Sequence, residues 1–271
     1  MGDAPLGAAA TARLLERHGI RPRKALGQHF LIDPNTTRRI VAASGAGPGD
    51  RVVEVGAGIG TLTRALAATG ASVVAYEIDE RLRPVLEETL ADLSVDLRFV
   101  DAARRRLELD GGPWLMVANL PYNVGTPLVL DLLTGSPQVE RFVVMLQREA
   151  VDRLAARPGS RTYGLPSVVA GLYGTVRVAF RVPPSVFLPR PAVESAVATI
   201  DRIPVHPLAP EAARLAAVAF GQRRKMLRRS LAGVVPDAGA VLVAAGIDPS
   251  ARPEELAPGD FLRLAGVARD R

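Results

Sequence analysis

The sequence predicts an α/β fold, in which an open, largely parallel sheet is followed by a small all-helical carboxyl-terminal domain. Three features of its 271 residues point there. The strand pattern Arg51-Val-Val-Glu54-Val55 runs into Gly56-Ala-Gly58-Ile-Gly60 and then a helical pattern from Leu62 to Ala68, as a strand feeding a helix in a parallel sheet should. Trp114 to Ala118 is a short apolar run after Gly111-Gly112-Pro113, which suits a buried parallel strand. Beyond a proline-rich linker from Ile203 to Pro210, only short amphipathic patterns remain.

Glycines in the turn after the first strand let backbone approach a ligand closely, and the following helix offers unpaired amide hydrogens at its start. The spacing Gly-x-Gly-x-Gly lacks the last glycine of Gly-x-Gly-x-x-Gly, which disfavours a dinucleotide with its pyrophosphate. Ala71 to Tyr76 is the next strand and ends at Glu77, 21 residues after Gly56, where a carboxylate can accept from both hydroxyls of a ribose. Glu80 to Leu90 reads as a helix. Leu97 to Val100 is a third strand ended by Asp101-Ala102, and Asp101 there suits an adenine amino group. The fourth strand stops at Asn119, because Pro121 has no amide hydrogen to donate. Glu77, Asp101 and Asn119 thus line the carboxyl edge of one sheet, where open α/β folds bind ligands.

Val117-Ala118-Asn119-Leu120-Pro121-Tyr122 is the most informative stretch. Pro121 biases Leu120 toward an extended conformation, which leaves the Leu120 carbonyl available as an acceptor. Asn119 adds a second acceptor, and Tyr122 adds an aromatic face. An exocyclic amine on an aromatic ring is a poor nucleophile because its lone pair is delocalised. Two acceptors on its two hydrogens favour the pyramidal geometry in which that lone pair can attack, while stacking on Tyr122 holds the ring with about 1–3 kcal/mol. The competing reading is a strand-end turn with a packed tyrosine.

Thr126 to Leu133 reads as a helix, Arg141 to Leu146 as a strand and Gln147 to Ala155 as a helix. Val176 to Val182 and Val193 to Ile200 are strands joined by Pro183-Pro184-Ser-Val-Phe187-Leu-Pro189-Arg-Pro191, which predicts an antiparallel hairpin at the sheet edge. Phe187 in that loop is either a hydrophobic plug or a second stacking face, and the residues alone favour the plug. Glu211 to Phe220, Lys225 to Leu231, Ala238 to Ala244 and Phe261 to Ala268 are the short carboxyl-terminal helices. The expected boundaries are an amino-terminal arm over 1–22, the sheet domain over 23–203 and the helical domain over 204–271.

Charge bounds the partner. The formal net charge is +6, and Lys appears only at 24 and 225, so the positive residues are almost all arginine. Between Arg13 and Arg39 there are seven positive and two negative residues, with Arg23 and Lys24 in front of Phe30 and Leu31. Arg223, Arg224, Lys225, Arg228 and Arg229 place five positive charges in the seven residues after Gln222. Both segments can face a polyanion, although each also reads as a solvated surface. The absence of cysteine excludes disulfides and thiolate metal sites, and His18, His29 and His206 show no metal-ligand spacing. No metal is expected. No apolar span reaches a membrane-crossing length, and the Ala-rich start lacks a secretory pattern, so a soluble cytoplasmic protein is expected.

The motifs taken together resemble the ribosomal RNA adenine N6,N6-dimethyltransferases, specifically the housekeeping small-subunit branch whose members determine kasugamycin sensitivity. The resemblance runs from about Arg23 to Leu262 and rests on seven ordered motifs. They are Gly27-Gln28-His29-Phe30-Leu31, Glu54 to Gly60, Tyr76-Glu77, Asp101-Ala102, Asn119-Leu-Pro-Tyr122-Asn123, Phe187-x-Pro-x-Pro-x-Val193-x-Ser195-Ala196 and Ala219-Phe220-x-Gln222-Arg223-Arg224-Lys225. It implies a Rossmann-like, S-adenosylmethionine-dependent methyltransferase sheet that dimethylates two adjacent adenosines in the 3′-terminal helix of small-subunit (16S) rRNA. Carried over by position, His29, Leu31, Gly56, Gly58, Glu77, Asp101 and Asn119 would contact S-adenosylmethionine. Asn119, Leu120, Pro121 and Tyr122 would hold the target amine, Phe187 would stack on the base, and the two basic segments would meet rRNA. The chain departs from the family pattern at His29, where Asn is frequent, at Gly125, where Ser is usual, and at Gly171, where Gln is frequent.

The implied partner is rRNA within the small ribosomal subunit or its precursor, met by a monomer. Two alternatives share parts of this pattern. A large-subunit (23S) rRNA adenine methyltransferase of the macrolide-resistance type has the same cofactor motifs, but the Phe187 loop and the Gln222 to Lys225 segment favour the housekeeping branch. A non-catalytic RNA-binding assembly or transcription factor would keep the fold without turnover, against which Glu77, Asp101 and Asn119 to Tyr122 are all intact.

Overall fold

The structure, a computed structural model, describes residues 5–102, 104–105 and 107–270. Its contacts divide the chain into two compact units, one running to Val151 and including Arg177–Asp201, the other comprising Asp152–Val176 and the chain from Arg202 onward. No helix among the described residues is long and apolar enough to cross a membrane.

In chain order the first unit opens with α1 (Ala8–Arg17), β1 (Phe30–Leu31) and α2 (Pro34–Ser44). It continues through β2 (Arg51–Val55), α3 (Thr61–Ala67), β3 (Ser72–Glu77), α4 (Arg83–Thr89), β4 (Val95–Phe99), β5 (Trp114–Asn119), α5 (Gly125–Gly135) and β6 (Val139–Gln147). Then follow α6 (Arg148–Leu154), α7 (Leu165–Tyr173), β7 (Gly174–Val182), β8 (Phe187–Leu188) and β9 (Ser195–Arg202). The helical end holds α8 (Ala209–Gly221), α9 (Leu227–Ser230), α10 (Ala238–Ala244) and α11 (Pro258–Arg269).

Seven strands form one sheet in the order β4-β3-β2-β5-β6-β9-β7. Neighbours from β4 to β6 are parallel, and β9 runs antiparallel to β6. Strand order reverses between β2 and β5, so the carboxyl ends of those strands flank the crevice where α/β sheets take ligands. Buried valines make this possible: Val52, Val53, Met116, Val117 and Ala118 have no more than 0% exposed surface, as strands covered on both faces require.

The structure departs from the sequence expectations in four places. Residues 5–22 of the expected arm, whose residues 1–4 lie outside the described set, belong to the packed first unit. Leu14 and Leu15 of α1 are buried in the core of the first unit, and Arg17 and His18 pair with Glu88 on α4. The proline loop does more than join β7 to β9, which are neighbours at the sheet edge. It contributes β8, which pairs antiparallel with β1 by matching Phe30 to Leu188 and Leu31 to Phe187. A helix without an expectation, α7, lies in the largely apolar run 165–173, where Ser167 alone among polar aliphatic residues cannot mark a period. Finally, the expected 203/204 boundary leaves out Asp152–Val176, which groups with the helical end because α7 packs on α8 and α11. Gly171 permits that approach, since a Cβ there would stand 2.7 Å from the Pro258 ring.

Candidate active site

At the carboxyl edge of the sheet, within the first unit, lies a cavity of about 280 Å³. Leu31, Gly56, Gly58, Glu77, Asp101, Asn119, Leu120, Pro121, Tyr122 and His29 all line it. Every residue expected to contact cofactor or target amine is therefore gathered in one place except Phe187.

The glycine turn and Glu77 form one unit. Glu77 is 6% exposed, and its Oε2 accepts from the Gly58 amide at 2.7 Å. Its Oε1 accepts from the amides of Ile78 and Asp79, both at 2.9 Å. With one bond at Oε2, that oxygen keeps lone-pair capacity for a ligand hydroxyl. Burial raises the Glu77 pKa, the three amides oppose that, and the Asp79 charge adds to it. Gly58 has φ of 59°, and a Cβ there would press the Phe30 ring at 3.3 Å, so this turn accepts only glycine at that point. Gly56 sits across the switch point from β5, where a Cβ would approach the Asn119 carbonyl at 3.6 Å. The turn, whose Gly56 and Ala57 amides donate to the Tyr76 carbonyl, brings Gly56 and Gly58 to the cavity wall, and the spare lone pairs of Glu77 fit a ribose and its nucleoside.

Asn119, at the last position of β5, donates from Nδ2 to the His29 carbonyl at 3.2 Å, an orientation that leaves its Oδ1 as acceptor. The Leu120 amide donates to Met145 O at 3.1 Å, and no described residue donates to the Leu120 carbonyl, which borders the cavity. Tyr122 hydrogen-bonds Ser195 through its hydroxyl at 2.7 Å, and burial raises its pKa. The segment before β1 covers the site. Gln28 donates to Asp79 at 2.9 Å and accepts from the Arg23 amide at 2.8 Å. Asp101 pairs with Arg104 at 3.3 Å.

Phe187 corrects an expectation. Opposite Leu31 in the β1–β8 pair, it is 3% exposed, belongs to the apolar core and does not border the cavity. Its ring is the plug that the residues alone favoured, and in this arrangement it presents no stacking face. Among the basic residues, Arg23 faces Asp79 at 3.9 Å and Lys24 is exposed in a short 3-10 helix. Arg223 is drawn to Glu254 at 3.7 Å and to the Arg161 carbonyl at 3.4 Å. Arg224, Lys225 and Arg229 are exposed and make no ion pair among the described residues. Arg228 is exposed near Asp248.

Glu54, which in the sequence stands out only as part of a motif, is 1% exposed at the strand end that leads into the glycine turn. Burial pushes its pKa from the ordinary 4.5 to about 8; the nearby Thr63 hydroxyl opposes this, and the Glu77 charge adds to it. A carboxyl raised in this way binds more protons folded than unfolded between about pH 4.5 and 8, so stability falls as pH rises through that window. The expected slope from Glu54 is on the order of 1.4 kcal/mol per pH unit. Urea unfolding of Glu54→Gln across this window should show that slope removed, whereas an unchanged slope would mean that Glu54 is ionised in the folded state.

A parallel sheet with a glycine turn, a ribose-type acid and an amine-binding strand end at its switch point defines a nucleoside-dependent group-transfer site of the S-adenosylmethionine methyltransferase class. The family model for ribosomal RNA adenine dimethylases matches residues 19–270, and the chain belongs to that family. It is 48% identical to Ribosomal RNA small subunit methyltransferase A of Nocardia farcinica, covering 98% of this chain and 97% of that one. Identity to the protein of that name from Thermobifida fusca is 47%, over 95% of this chain and 94% of its relative. Among solved structures, a dimethyladenosine transferase from Plasmodium falciparum superposes with a TM-score of 0.75 at 22% identity, covering 87% of this chain and 96% of that one. The 23S rRNA methyltransferase ErmE superposes at 0.70 and 25% identity, covering 89% and 99%.

Proposed function

We propose that this enzyme transfers methyl groups from S-adenosylmethionine to N6 of two adjacent adenosines in the 3′-terminal helix of small-subunit (16S) rRNA, with a role in small-subunit biogenesis. The observation that carries the reading is the convergence of Asn119, Leu120 and Tyr122 with Glu77 and the glycine turn on one cavity. Near-full-length identity to small-subunit methyltransferases favours that substrate over the large-subunit alternative.

Bound S-adenosylmethionine supplies an activated sulfonium methyl group. Glu77 would accept from its ribose, the amides of the glycine turn and Leu31 would border it, and Asp101 would accept from its adenine amine. Asn119 Oδ1 and the Leu120 carbonyl would accept from the two hydrogens of the target N6. That draws the nitrogen toward a pyramidal form and aims its lone pair across the switch point. Pro121 keeps the Leu120 carbonyl out of the ladder, and Tyr122 stacks on the base. In the transfer the N6 lone pair would form the bond to the methyl carbon as the sulfonium C–S bond breaks, leaving S-adenosylhomocysteine as the neutral thioether, and the surplus proton on nitrogen would pass to water. Extruding the base costs a few kcal/mol, which stacking offsets in part. Positioning of this kind is worth roughly 7–11 kcal/mol when well oriented.

Outside the cavity, Arg23, Lys24, Arg224, Lys225, Arg228 and Arg229 are assigned to rRNA phosphates, Arg223 contributing less because Glu254 offsets its charge. Replacing Arg224, Lys225, Arg228 and Arg229 with Gln should weaken subunit binding and lower its salt slope by about 3, at roughly 0.7–0.9 per phosphate contact, with cofactor affinity unchanged. Filter binding across a salt series checks this, and an unchanged slope would make that surface merely solvated. The enzyme is taken to act as a cytoplasmic monomer without a metal.

Primer extension on both rRNAs, after incubating unmethylated subunits with enzyme and cofactor, tests the function. Paired stops near the 3′ end of 16S rRNA are expected. Modification confined to 23S rRNA would support the macrolide-resistance type, and binding without modification would support an assembly factor.

A further inference from the structure

We propose that His29 is a positioning residue for the target base: its imidazole, pinned to the Pro189 carbonyl, backs one face of Tyr122 and thereby fixes the plane of the opposite face on which the adenine stacks. The inference rests on reading Asn119 to Tyr122 as the amine site. It gives the imidazole ring a task distinct from the cofactor contact expected at this position.

The two rings lie 5.4 Å apart between centroids with 26° between their planes, a stacked pair within the attractive range for aromatic rings. His29 Nδ1 is 2.7 Å from the Pro189 carbonyl. A carbonyl only accepts, so Nδ1 carries the proton and the imidazole has one orientation. Both ends of this bridge are in register, because Phe30 pairs with Leu188 in the β1–β8 ladder and His29 and Pro189 are the next residues outward. The backbone of the same residue accepts from Asn119 Nδ2 at 3.2 Å, so one short segment touches both groups assigned to the base.

A face contact is needed here for a geometric reason. Tyr122 is held at its far end by Ser195 at 2.7 Å. Rotation about the axis from Cβ through the hydroxyl leaves that oxygen in place, so the hydrogen bond cannot set the plane of the ring. The torsion concerned is broad in tyrosine. A group lying against the ring removes that freedom, and among the described residues His29 is the aromatic ring stacked on it. The tilt of Tyr122 then sets the tilt of the adenine, and with it the angle at which the N6 lone pair meets the methyl carbon. Misplacement by about 1 Å in such a site can cost on the order of 100-fold in rate.

Three variants separate a brace from a cofactor contact. His29→Asn retains hydrogen-bonding capacity without a ring, His29→Phe retains a ring without the bond to Pro189, and His29→Leu fills the space with neither. The ring-less variants should lower the single-turnover rate at saturating RNA about tenfold, with cofactor Kd and RNA KM within twofold of wild type. His29→Phe should recover most of the rate. A readout independent of activity is the NMR spectrum of labelled tyrosine, tractable with four tyrosines and with Tyr122 assigned through Tyr122→Phe. Loss of the imidazole ring current should displace the Tyr122 ring signals and speed ring flipping in His29→Asn and His29→Leu. Unchanged Tyr122 signals in the folded ring-less variants would overturn the proposal, as would a cofactor Kd weakened tenfold with the saturated rate intact. A wild-type enzyme that methylates neither rRNA would refute the proposed function, while the tyrosine spectrum would still decide the brace.

Discussion

Asn119→Ala should slow single-turnover methylation by about 100-fold while changing rRNA affinity less than threefold. Removing one preorganised polar group that acts mainly in the transition state costs about this much in acyl-transfer enzymes, and the same reasoning holds for methyl transfer here, because the Asn119 acceptor is strongest when N6 becomes pyramidal. Asn119 also donates to the His29 carbonyl, so the variant frees one cross-link of the segment before β1. Melting temperature must therefore be measured on the same preparation. Tyr122→Phe should be mild, because the face is kept and one hydrogen bond to Ser195, worth about 1 kcal/mol, is lost. Tyr122→Ala should be severe, since the base loses its platform. If the motif were only a packed turn, activity would instead track the folded fraction in each variant. A fully folded Asn119→Ala enzyme with the wild-type rate would refute the amine-holding role.

Glu77→Ala should weaken S-adenosylmethionine binding by roughly 1–3 kcal/mol, as expected for hydrogen bonds to a charged acceptor. The structure adds a second effect. The carboxylate accepts from the amides of Gly58, Ile78 and Asp79. Ile78 is exposed, so water can replace its partner, but Asp79 is buried and Gly58 half-buried. Each amide left without an acceptor costs about 1–3 kcal/mol, so the variant should also melt earlier and loosen the glycine turn. Glu77→Gln keeps a carbonyl oxygen and should fall between the two. Calorimetry on folded protein that finds unchanged cofactor affinity would remove Glu77 from the site.

Much of this arrangement was legible in the residues. Glycines at 56 and 58, an acid at 77 and a polar strand end at 119 follow from the period of a parallel sheet, which fixes where each strand tip falls. Asn119, Leu120 and Tyr122 could be assigned tasks because Pro121 dictates where the ladder stops. What stayed hidden depends on contacts distant in sequence. The burial of Phe187 is set by a two-residue pairing with Leu31, 156 positions away, which leaves no local pattern. His29 reads as a departure from a motif until Pro189 and Tyr122 stand beside it. The capture of Arg223 by Glu254 is equally silent, since a run of arginines looks alike whether or not one of them is paired. The helix α7 escaped because it is apolar on nearly all sides, with Ser167 buried, and runs directly into β7.

The most direct test of the amine site is a crystal structure of the enzyme with S-adenosylhomocysteine and adenosine 5′-monophosphate. The nucleotide base should lie on Tyr122, with N6 within hydrogen-bond distance of Asn119 Oδ1 and the Leu120 carbonyl, and the ribose of S-adenosylhomocysteine on Glu77. A base bound elsewhere in the cavity, with N6 contacting neither acceptor while S-adenosylhomocysteine occupies its site, would contradict it.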